Sequence, residues 1–465
     1  MKHYFLSLAF LISMVGSLFV SAQQRDPLKQ PFSKTSIWNM PIHKDAQYVP
    51  ARIGAPLYGF YSDEEVIILK PTAPLTGIYE NFADWDATKD RCIKQGSLIF
   101  SAPIPTDFVY SKNEWEGTTP NSGLAVLMAD GVTIKHTQPF ARCTAGTDAT
   151  SHYKFPSQNL TGDGTRGGHG GSGLSTLGGT IRLGEMVPGG KINHALKINL
   201  YGAKYYFYDA ATKGYRWPAV NADGYAAGNY GKKGTPAEDC RIGALLAIPN
   251  SVTIESLNLE TEPGKIMAEA FRNYGAYIVD DAAWDAVNIC TEHSPDGTVQ
   301  NEFSETWGFS FETSNGQPFA NDLEKILKNL NVVINNTATT IGGGLNADET
   351  NRLAPMACDF APAGSGKTCN GIATSSRIIN IRKKECELKI FPNPVNISNI
   401  TFIIPNNEKN IKMEIFDYSG KLIFSKINIS EKEFKLAPSC LCGSGMYLVR
   451  VTSSANVLYA KLIIN

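Results

Sequence analysis

Residues 160–201 read LTGDGTRGGHGGSGLSTLGGTIRLGEMVPGGKINHALKINLY, and this stretch decides the fold class that the sequence predicts. Its first half is rich in glycine around His169, which lets one backbone segment approach another, or a ligand, closely. In its second half, apolar and polar residues alternate over 180–185 and 192–200, with the period of a half-buried strand. Turn-forming residues 187–190 lie between the two segments, so the sequence predicts an antiparallel hairpin.

The predicted hairpin makes Glu185 and His194 diagonal neighbours on its apolar face, within side-chain reach of each other. Burying ionisable groups among aliphatic side chains is costly unless they are paired. We therefore take Glu185, His194 and the glycine-flanked His169 as candidate catalytic residues. For Glu185 and His194, the alternative is a purely structural pair in the core.

Strand patterns outnumber helix patterns in the rest of residues 23–334, which we take as the main domain. A helix is predicted to begin after Thr261 and to end before Gly275, and a second helix covers 323–330. Helices that come late and singly do not fit alternating strand–helix–strand units. The sequence predicts a mainly β protein, with an antiparallel β-sandwich or barrel covered by two helices.

Residues 1–22 have the pattern of a signal peptide, with Lys2 before an apolar run and small residues at the predicted cleavage site after Ala22. No later stretch is long and apolar enough to cross a membrane. The mature chain is therefore expected to be exported and to have no transmembrane segment. A net charge of −1 leaves no basic field for nucleic acid.

The nine cysteines include no CxxC pair and none lies at zinc-finger spacing from a histidine, so no metal site is predicted from them. Disulfides are expected in an oxidising compartment. Cys358 and Cys369 bracket a short loop rich in proline and glycine, and they are the predicted pair. No cofactor is predicted, although the adjacent Asp280 and Asp281 leave calcium as an open alternative.

Aromatic faces beside carboxylates suit the stacking and hydrogen bonding of sugars. Trp85 and Trp115 lie in acidic segments, Tyr206 lies in a tyrosine-rich strand, and Asp280 and Asp281 end another strand. We predict these five as binding residues. A packing role is the alternative for each tryptophan.

Residues 335–385 are rich in Thr, Asn, Gly, Ala and Pro and have weak periodicity, which predicts a linker. Residues 386–465 contain short alternating strands at regular spacing with turn signals between them. This second pattern predicts a small, separate β-sandwich.

The C-terminal unit contains FPNP at 391–394, IFDYSGK at 415–421, GMYLVRV at 445–451 and KLII at 461–464. With these segments it resembles the C-terminal sorting domain of the Bacteroidetes type IX secretion system. The resemblance implies that the protein folds in the periplasm and crosses the outer membrane through that machinery. It also implies release into the medium or attachment to the cell surface.

The main domain resembles a family of secreted bacterial β-rich proteins over roughly residues 31–310. The shared features are an N-terminal clasp at 32–39, the segment 178–196, Ile242-Gly243-Ala244 and the segment 272–281. The resemblance implies a common fold and transfers no activity.

Three hypotheses for function stay open. The first is a polysaccharide-active hydrolase or lyase, because the resemblance to sorting domains implies a cargo class rich in such enzymes. A hydrolase would use Glu185 and His194 as acid and base, whereas a lyase would use His194 with a tyrosine of 205–208. The second hypothesis is a non-catalytic glycan-binding or adhesion module that uses Trp85 and Trp115. The third is a structural surface protein.

Overall fold

The computed structural model describes part of the chain. The described residues are 24–86, 88–111, 119, 121–361, 388–391, 393, 400–403, 411–417, 421–429, 433–437, 441, 443–452 and 457–464. The predicted signal peptide at 1–22, Trp115, Cys369 and residues 362–385 of the predicted linker lie outside these residues. No helix of the described part has the length and apolar character that a membrane span requires.

Short strands make up most of the regular structure. Those of the main domain are β1 (Tyr48–Pro50), β2 (Phe60–Ile68), β3 (Leu75–Glu80), β4 (Leu98–Pro103), β5 (Leu124–Leu127), β6 (Thr133–Gln138), β7 (Ala149–Ser151), β8 (Tyr153–Lys154), β9 (Gln158–Asn159), β10 (Arg166–His169), β11 (Leu196–Leu200), β12 (Leu245–Ala247), β13 (Ala276–Asp281), β14 (Val287–Ser294), β15 (Gly297–Thr298) and β16 (Asn331–Val333). Those of the C-terminal unit are β17 (Lys389–Phe391), β18 (Ile400–Ile403), β19 (Ile411–Phe416), β20 (Leu422–Ile429), β21 (Glu433–Leu436), β22 (Gly445–Thr452) and β23 (Val457–Ile464). The helices are α1 (Gly202–Tyr205), α2 (Ala226–Asn229), α3 (Glu262–Asn273), α4 (Val299–Trp307) and α5 (Pro318–Lys328), with one 3-10 turn at Glu255–Leu257.

A 12-stranded sheet organises the main domain, in the order β1-β16-β12-β13-β11-β14-β2-β5-β6-β8, with β15 beside β14 and β9 beside β6. The mainly β class is confirmed. The sheet is nevertheless mixed, because β11 pairs with β13, β14 with β2 and β2 with β5 in parallel. It is therefore not the antiparallel sandwich or barrel that we expected. Local alternation cannot reveal this, since β2 and β14 are far apart in the chain.

The predicted hairpin is wrong in its first strand. Ile181 makes a single bridge to Thr291, and no strand follows until β11 begins at Leu196. The N–H groups of Leu183 and Gly184 donate to the carboxylates of Glu292 and Glu302. Side-chain carboxylates therefore bind the N–H groups that the predicted hairpin would have paired with its second strand.

Helix α3 forms where the sequence predicts it. The Thr261 side chain accepts a hydrogen bond from the N–H of Gly264, and Gly275 follows the helix at φ +76°. Helix α5 covers the second predicted segment and packs against α3. Helix α4 was not predicted, because its polar sequence VQNEFSETW buries only three side chains.

The N-terminal clasp lies against the glycine-rich segment. The Trp38 side chain is buried, and its Nε1 donates to the carbonyl of Gly164 at 2.7 Å. A Cβ atom at Gly178 or Gly179 would lie within 2.5 Å of the Trp38 ring. These two positions therefore require glycine, which explains part of the glycine density in residues 164–179.

The packed part of the main domain extends to residue 361, beyond the predicted boundary at 334. The Arg352 guanidinium donates to the carbonyls of Pro41 and Ile341, at 2.8 and 2.6 Å. His43 contacts the Asp348 carboxylate at 3.0 Å. Because polar contacts hold this segment, its sequence lacks the hydrophobic periodicity of a packed element.

The C-terminal unit consists of two small sheets, β17-β18-β21 and β20-β19-β22-β23. Its apolar side chains form their own cluster, which includes Phe402, Met413 and Val449. This arrangement agrees with the small β-sandwich that the sequence predicts. The unit also touches the main domain, since the rings of Trp307 and Phe416 lie 6.2 Å apart.

Candidate functional site

A buried group of charges lies on one face of the main sheet. The Lys197 ammonium on β11 donates to Oε1 of Glu65 on β2 at 2.6 Å, and to the carbonyls of Ser175 and Thr176 at 3.0 and 2.8 Å. Nδ1 of His169 donates to the same Glu65 oxygen. The side chains of Glu65 and Lys197 are only 1% and 0% exposed. These bonds anchor the glycine-rich segment to the sheet.

The charged side chains of this group shift each other's pKa values. Burial acts to raise the pKa of Glu65, but Lys197 and His169 outweigh burial, so the pKa of Glu65 is lowered. Burial acts to lower the pKa of His169, but Glu65 and Cys290 together outweigh burial, so the pKa of His169 is raised well above its ordinary value. Both shifts favour the ion pair, in which Glu65 is a carboxylate and His169 an imidazolium.

Asp63 and Cys290 adjoin His169. Asp63 lies on the same face of β2 as Glu65, and its Oδ2 accepts a hydrogen bond from Nδ2 of Asn199 at 2.8 Å. That oxygen lies 3.7 Å from Nε2 of His169 and 3.8 Å from Sγ of Cys290. The thiol lies 4.0 Å from the same Nε2. These three side chains could hold a metal ion.

Two further carboxylates approach the glycine-rich segment from other elements. Oδ1 of Asp280, near the end of β13, accepts a hydrogen bond from the N–H of Gly171 at 3.2 Å. A Cβ at Gly170 would lie 1.7 Å from Oδ2 of Asp280, and one at Gly171 would lie 2.7 Å from Oδ1 of Asp223. The absence of side chains at 170 and 171 therefore makes room for both carboxylates.

Asp280 and Asp223 influence each other. Burial and the nearby Asp223 raise the pKa of Asp280 to about 8, against the opposing effects of His169 and the Gly171 N–H. Burial also raises the pKa of Asp223, although the Tyr230 hydroxyl donates to its Oδ2 and opposes the shift. At neutral pH, Asp280 therefore holds a proton beside a second carboxylate that accepts a hydrogen bond.

Exposed aromatic rings border these carboxylates. Tyr225 is 51% exposed, and its hydroxyl donates to Oδ2 of Asp281 at 3.3 Å. Trp284 is 44% exposed, and its ring lies edge-on to Tyr61, which shares a face of β2 with Asp63. We call Asp63, Asp223, Asp280, Asp281 and the rings of Tyr225 and Trp284 the acidic cleft.

Three of the sequence-predicted site residues, His169, Asp280 and Asp281, belong to the acidic cleft or its buried floor. Tyr206 lies behind it: its side chain is fully buried, donates to the backbone carbonyl of Asp280 and accepts from the N–H of Leu200. Tyr206 therefore supports the end of β13 and offers no surface to a ligand.

Glu185 and His194 form the contact that the sequence predicts, with Nε2 of His194 3.1 Å from Oε2 of Glu185. Nδ1 of His194 donates to the carbonyl of Ala195, and the Glu185 carboxylate also accepts from the N–H of Arg182. Burial acts to lower the pKa of His194, but the charge of Glu185 and the hydrogen bonds to Glu185 and Ala195 together outweigh burial, so the pKa of His194 is raised. None of these contacts involves the acidic cleft, so the geometry favours the structural alternative.

Replacing His194 by glutamine is expected to lower the free energy of unfolding by about 1–3 kcal/mol, because buried Glu185 loses a charged donor. The pKa of His194 is raised by folding, so its contribution is present at low pH and is lost as the pH rises through the folded value. Urea unfolding of wild type, His194→Gln, Glu185→Gln and the double variant measures the coupling. An unchanged stability together with lost activity would instead support a catalytic role.

Trp85 is 43% exposed, and its ring lies 4.7 Å from that of Tyr153, outside the acidic cleft. Cys92 and Cys143 form a disulfide that was not predicted, because 51 residues separate them in the sequence. Cys358 takes part in a disulfide, and Cys369, its predicted partner, lies outside the described residues. Trp115 also lies outside them.

A surface cavity of about 630 Å³ lies elsewhere on the main domain. Its lining residues include Lys70, Pro74, Asp107 and Gly146. Lys70 and Asp107 are the charged residues of its lining, and neither belongs to the acidic cleft.

Sequence reasoning missed Asp63, Glu65, Lys197, Asp223 and Cys290. The signal for the first two is present in FYSDEEVII, where two carboxylates fall on one face of a strand that ends in an apolar run. Lys197 offers a similar signal, as a charge inside the apolar strand LKINL. Asp223 and Cys290 have no local signal, since only the folded chain brings them to His169 and Asp280.

Residues 389–465 match the family model described as the secretion system C-terminal sorting domain. No curated protein matches the chain. Among solved structures, the chain is similar to the crystal structure of dimeric latent PorU from Porphyromonas gingivalis, with 23% identity and a TM-score of 0.14. That similarity covers 17% of this chain and 9% of the PorU chain. The predicted sorting domain is confirmed: the protein carries a type IX secretion C-terminal sorting domain at residues 389–465 and is exported by that system to the cell surface or into the medium.

Proposed function

We propose that the acidic cleft hydrolyses glycosidic bonds in a polysaccharide outside the cell. The observation that carries the proposal is the pairing of Asp280 and Asp223 over Gly170 and Gly171, beside exposed aromatic rings. Glycosidases use two carboxyl groups, one that donates a proton and one that is ionised. In this proposal Asp280 is the donor and Asp223 its partner, and both side chains are partly exposed.

Asp280 is the proton donor in this proposal. Its pKa is raised to about 8 by burial and by Asp223, so it carries a proton at neutral pH and can protonate the departing glycosidic oxygen. Asp223 acts as the base that activates water, or as the nucleophile, and the Tyr230 hydroxyl fixes its carboxylate. Asp281 accepts from the N–H groups of Gly202 and Ala283, which hold the strand end in place.

Tyr225 and Trp284 provide apolar faces on which sugar rings can stack. Their polar neighbours, the carboxylates of the acidic cleft, can accept hydrogen bonds from sugar hydroxyls. Export by type IX secretion supports a large extracellular substrate, because the protein acts outside the outer membrane.

Two other mechanisms fit this geometry less well. A lyase that uses His194 and Tyr206 lacks support, because His194 is paired with Glu185 and the Tyr206 hydroxyl bonds to backbone groups. A thiol nucleophile at Cys290 is also disfavoured. Its side chain is fully buried, and burial raises the pKa of Cys290 to about 11.

The test is a screen of the wild-type protein against a panel of polysaccharides for released reducing ends. On a cleaved substrate, Asp280→Asn is expected to lower kcat by about 100- to 10,000-fold with little change in KM. The control is Asp296→Asn, which removes an exposed carboxylate paired with Lys70 and is expected to retain full activity. Full activity of Asp280→Asn would refute the assignment of the proton donor.

Asp280→Asn should also stabilise the folded chain above pH 8. A carboxyl whose folded pKa exceeds its unfolded value costs stability progressively as the pH rises between the two values. The carboxamide carries no charge and can still accept the hydrogen bond from Gly171. A variant that is inactive and melts at a higher temperature than wild type therefore separates lost chemistry from lost folding.

Non-catalytic glycan binding is the second candidate function, and the exposed ring of Trp284 favours it. In that case a polysaccharide in the gel retards the protein in affinity electrophoresis, and the protein never cleaves the polysaccharide. Trp284→Ala would then abolish binding, whereas Asp280→Asn would retain it.

A further inference from the structure

Three side chains from three strands direct ligand-type atoms at one point on the floor of the acidic cleft. Oδ2 of Asp63, Nε2 of His169 and Sγ of Cys290 are separated by 3.7, 3.8 and 4.0 Å. Bond lengths of 2.0–2.3 Å around a tetrahedral zinc ion place such atoms about 3.3–3.5 Å apart. These three atoms form the ligand triangle, and each of its sides needs to shorten by only a few tenths of an ångström for the atoms to bind one ion.

We propose that Asp63, His169 and Cys290 bind a zinc ion. The mixture of one nitrogen, one sulfur and one carboxylate oxygen suits zinc and the neighbouring transition metals, whereas calcium and magnesium select oxygen ligands alone. Three protein ligands leave the fourth tetrahedral position for water or a substrate oxygen, the pattern of catalytic zinc sites.

Groups around the triangle orient the proposed ligands. The Nδ1–H of His169 donates to Glu65, which is itself held by the Lys197 ammonium, and this bond leaves Nε2 of His169 to face the ion. A carboxylate behind a ligating histidine is the usual second layer of a zinc site. Asn199 holds the metal-binding oxygen of Asp63 through its own Nδ2.

The unpaired side-chain oxygen of Asn199 is a second, independent indication of a ligand at this position. Asn199 is 3% exposed, and among the described residues its Oδ1 finds no hydrogen-bond donor although its Nδ2 is bonded to Asp63. A buried polar atom without a partner is costly. Water on the fourth position of the ion is a donor of the kind that this oxygen lacks.

The two free cysteines of the described residues differ in their surroundings. Cys290 lies beside Asp63 and His169, whereas Cys240 is buried and, within the part of the chain that the structure describes, belongs to no such group of ligand-type side chains.

The experiment measures zinc content and affinity on the full mature chain, without substrate. Wild type dialysed against zinc is expected to hold one ion per chain by elemental mass spectrometry. Cys290→Ser and His169→Ala are expected to bind zinc more than about 100-fold more weakly by competition with a chromogenic chelator, since a ligand counts for more than a second-layer group. The matched control is Cys240→Ser, which removes the other buried free thiol and should bind zinc like wild type.

Cobalt substitution identifies the ligands directly. Wild type and Cys240→Ser loaded with cobalt should show a thiolate-to-metal charge-transfer band, and folded Cys290→Ser should lack it. A folded wild type that retains no zinc, or a Cys290→Ser variant that binds zinc as tightly as wild type, would overturn the proposal. Because no substrate is used, this result is independent of the proposed glycan hydrolysis.

Discussion

Replacing Glu65 by glutamine is expected to lower the free energy of unfolding of the main domain by about 3–5 kcal/mol. Glu65 is the carboxylate partner of the Lys197 ammonium, whose side chain is fully buried, and of His169. The carboxamide has almost the same shape but no charge, so it leaves the Lys197 ammonium buried without its counterion. Urea unfolding followed by tryptophan fluorescence measures the loss.

Glu64→Gln is the matched control for this substitution. Glu64 is the adjacent residue of β2, but it faces the other side of the sheet, is 20% exposed and pairs with His293. Its replacement should cost less than about 1 kcal/mol. Adding Lys197→Met to Glu65→Gln should recover stability, because it removes the unpaired charge. Equal losses of unfolding free energy for Glu64→Gln and Glu65→Gln would show that Glu65 contributes no more to stability than a partly exposed carboxylate.

Deletion of residues 389–465 is expected to abolish export and to leave a folded main domain in the periplasm. The matched family model assigns these residues to secretion, and their apolar side chains form a cluster of their own. The truncation breaks some contacts, such as that between Trp307 and Phe416, but leaves the main sheet intact. Cell fractionation and protease resistance of the periplasmic protein measure the two parts of the prediction.

A chain with conservative surface substitutions in 389–465 serves as the control and should still reach the cell surface or the medium. Export of the truncated chain by the same secretion system would show that the sorting signal lies elsewhere. Degradation of the truncated chain in the periplasm would show that the main domain needs the C-terminal unit for stability.

The sequence predicts the parts of this protein that depend on local patterns. Helix α3 is confirmed with its Thr261 cap, and the C-terminal β-sandwich follows from short alternating strands. The contact between Glu185 and His194 is also found, although the hairpin that suggested it is not. Both residues are close in the chain, and a turn rather than a hairpin brings them together.

The parts that depend on distant partners could not be predicted. Lys197 alternates like a solvent-facing residue of β11, yet the glycine-rich segment covers that face and makes it the floor of a cleft. Asp223 reaches Asp280 from a polar loop, and Cys290 reaches Asp63 through a parallel strand pair. Parallel pairing joins strands that are far apart in sequence, so no local sequence pattern shows which residues become neighbours across such a pair.

The pH dependence of kcat/KM on a polysaccharide that the wild type cleaves tests the central assignment most directly. Asp280 must carry a proton to act as the acid, and its pKa is raised to about 8. The predicted result is a fall in kcat/KM as the pH rises above 8. A kcat/KM that stays level or increases as the pH rises above 8 would contradict Asp280 as the proton donor of the acidic cleft.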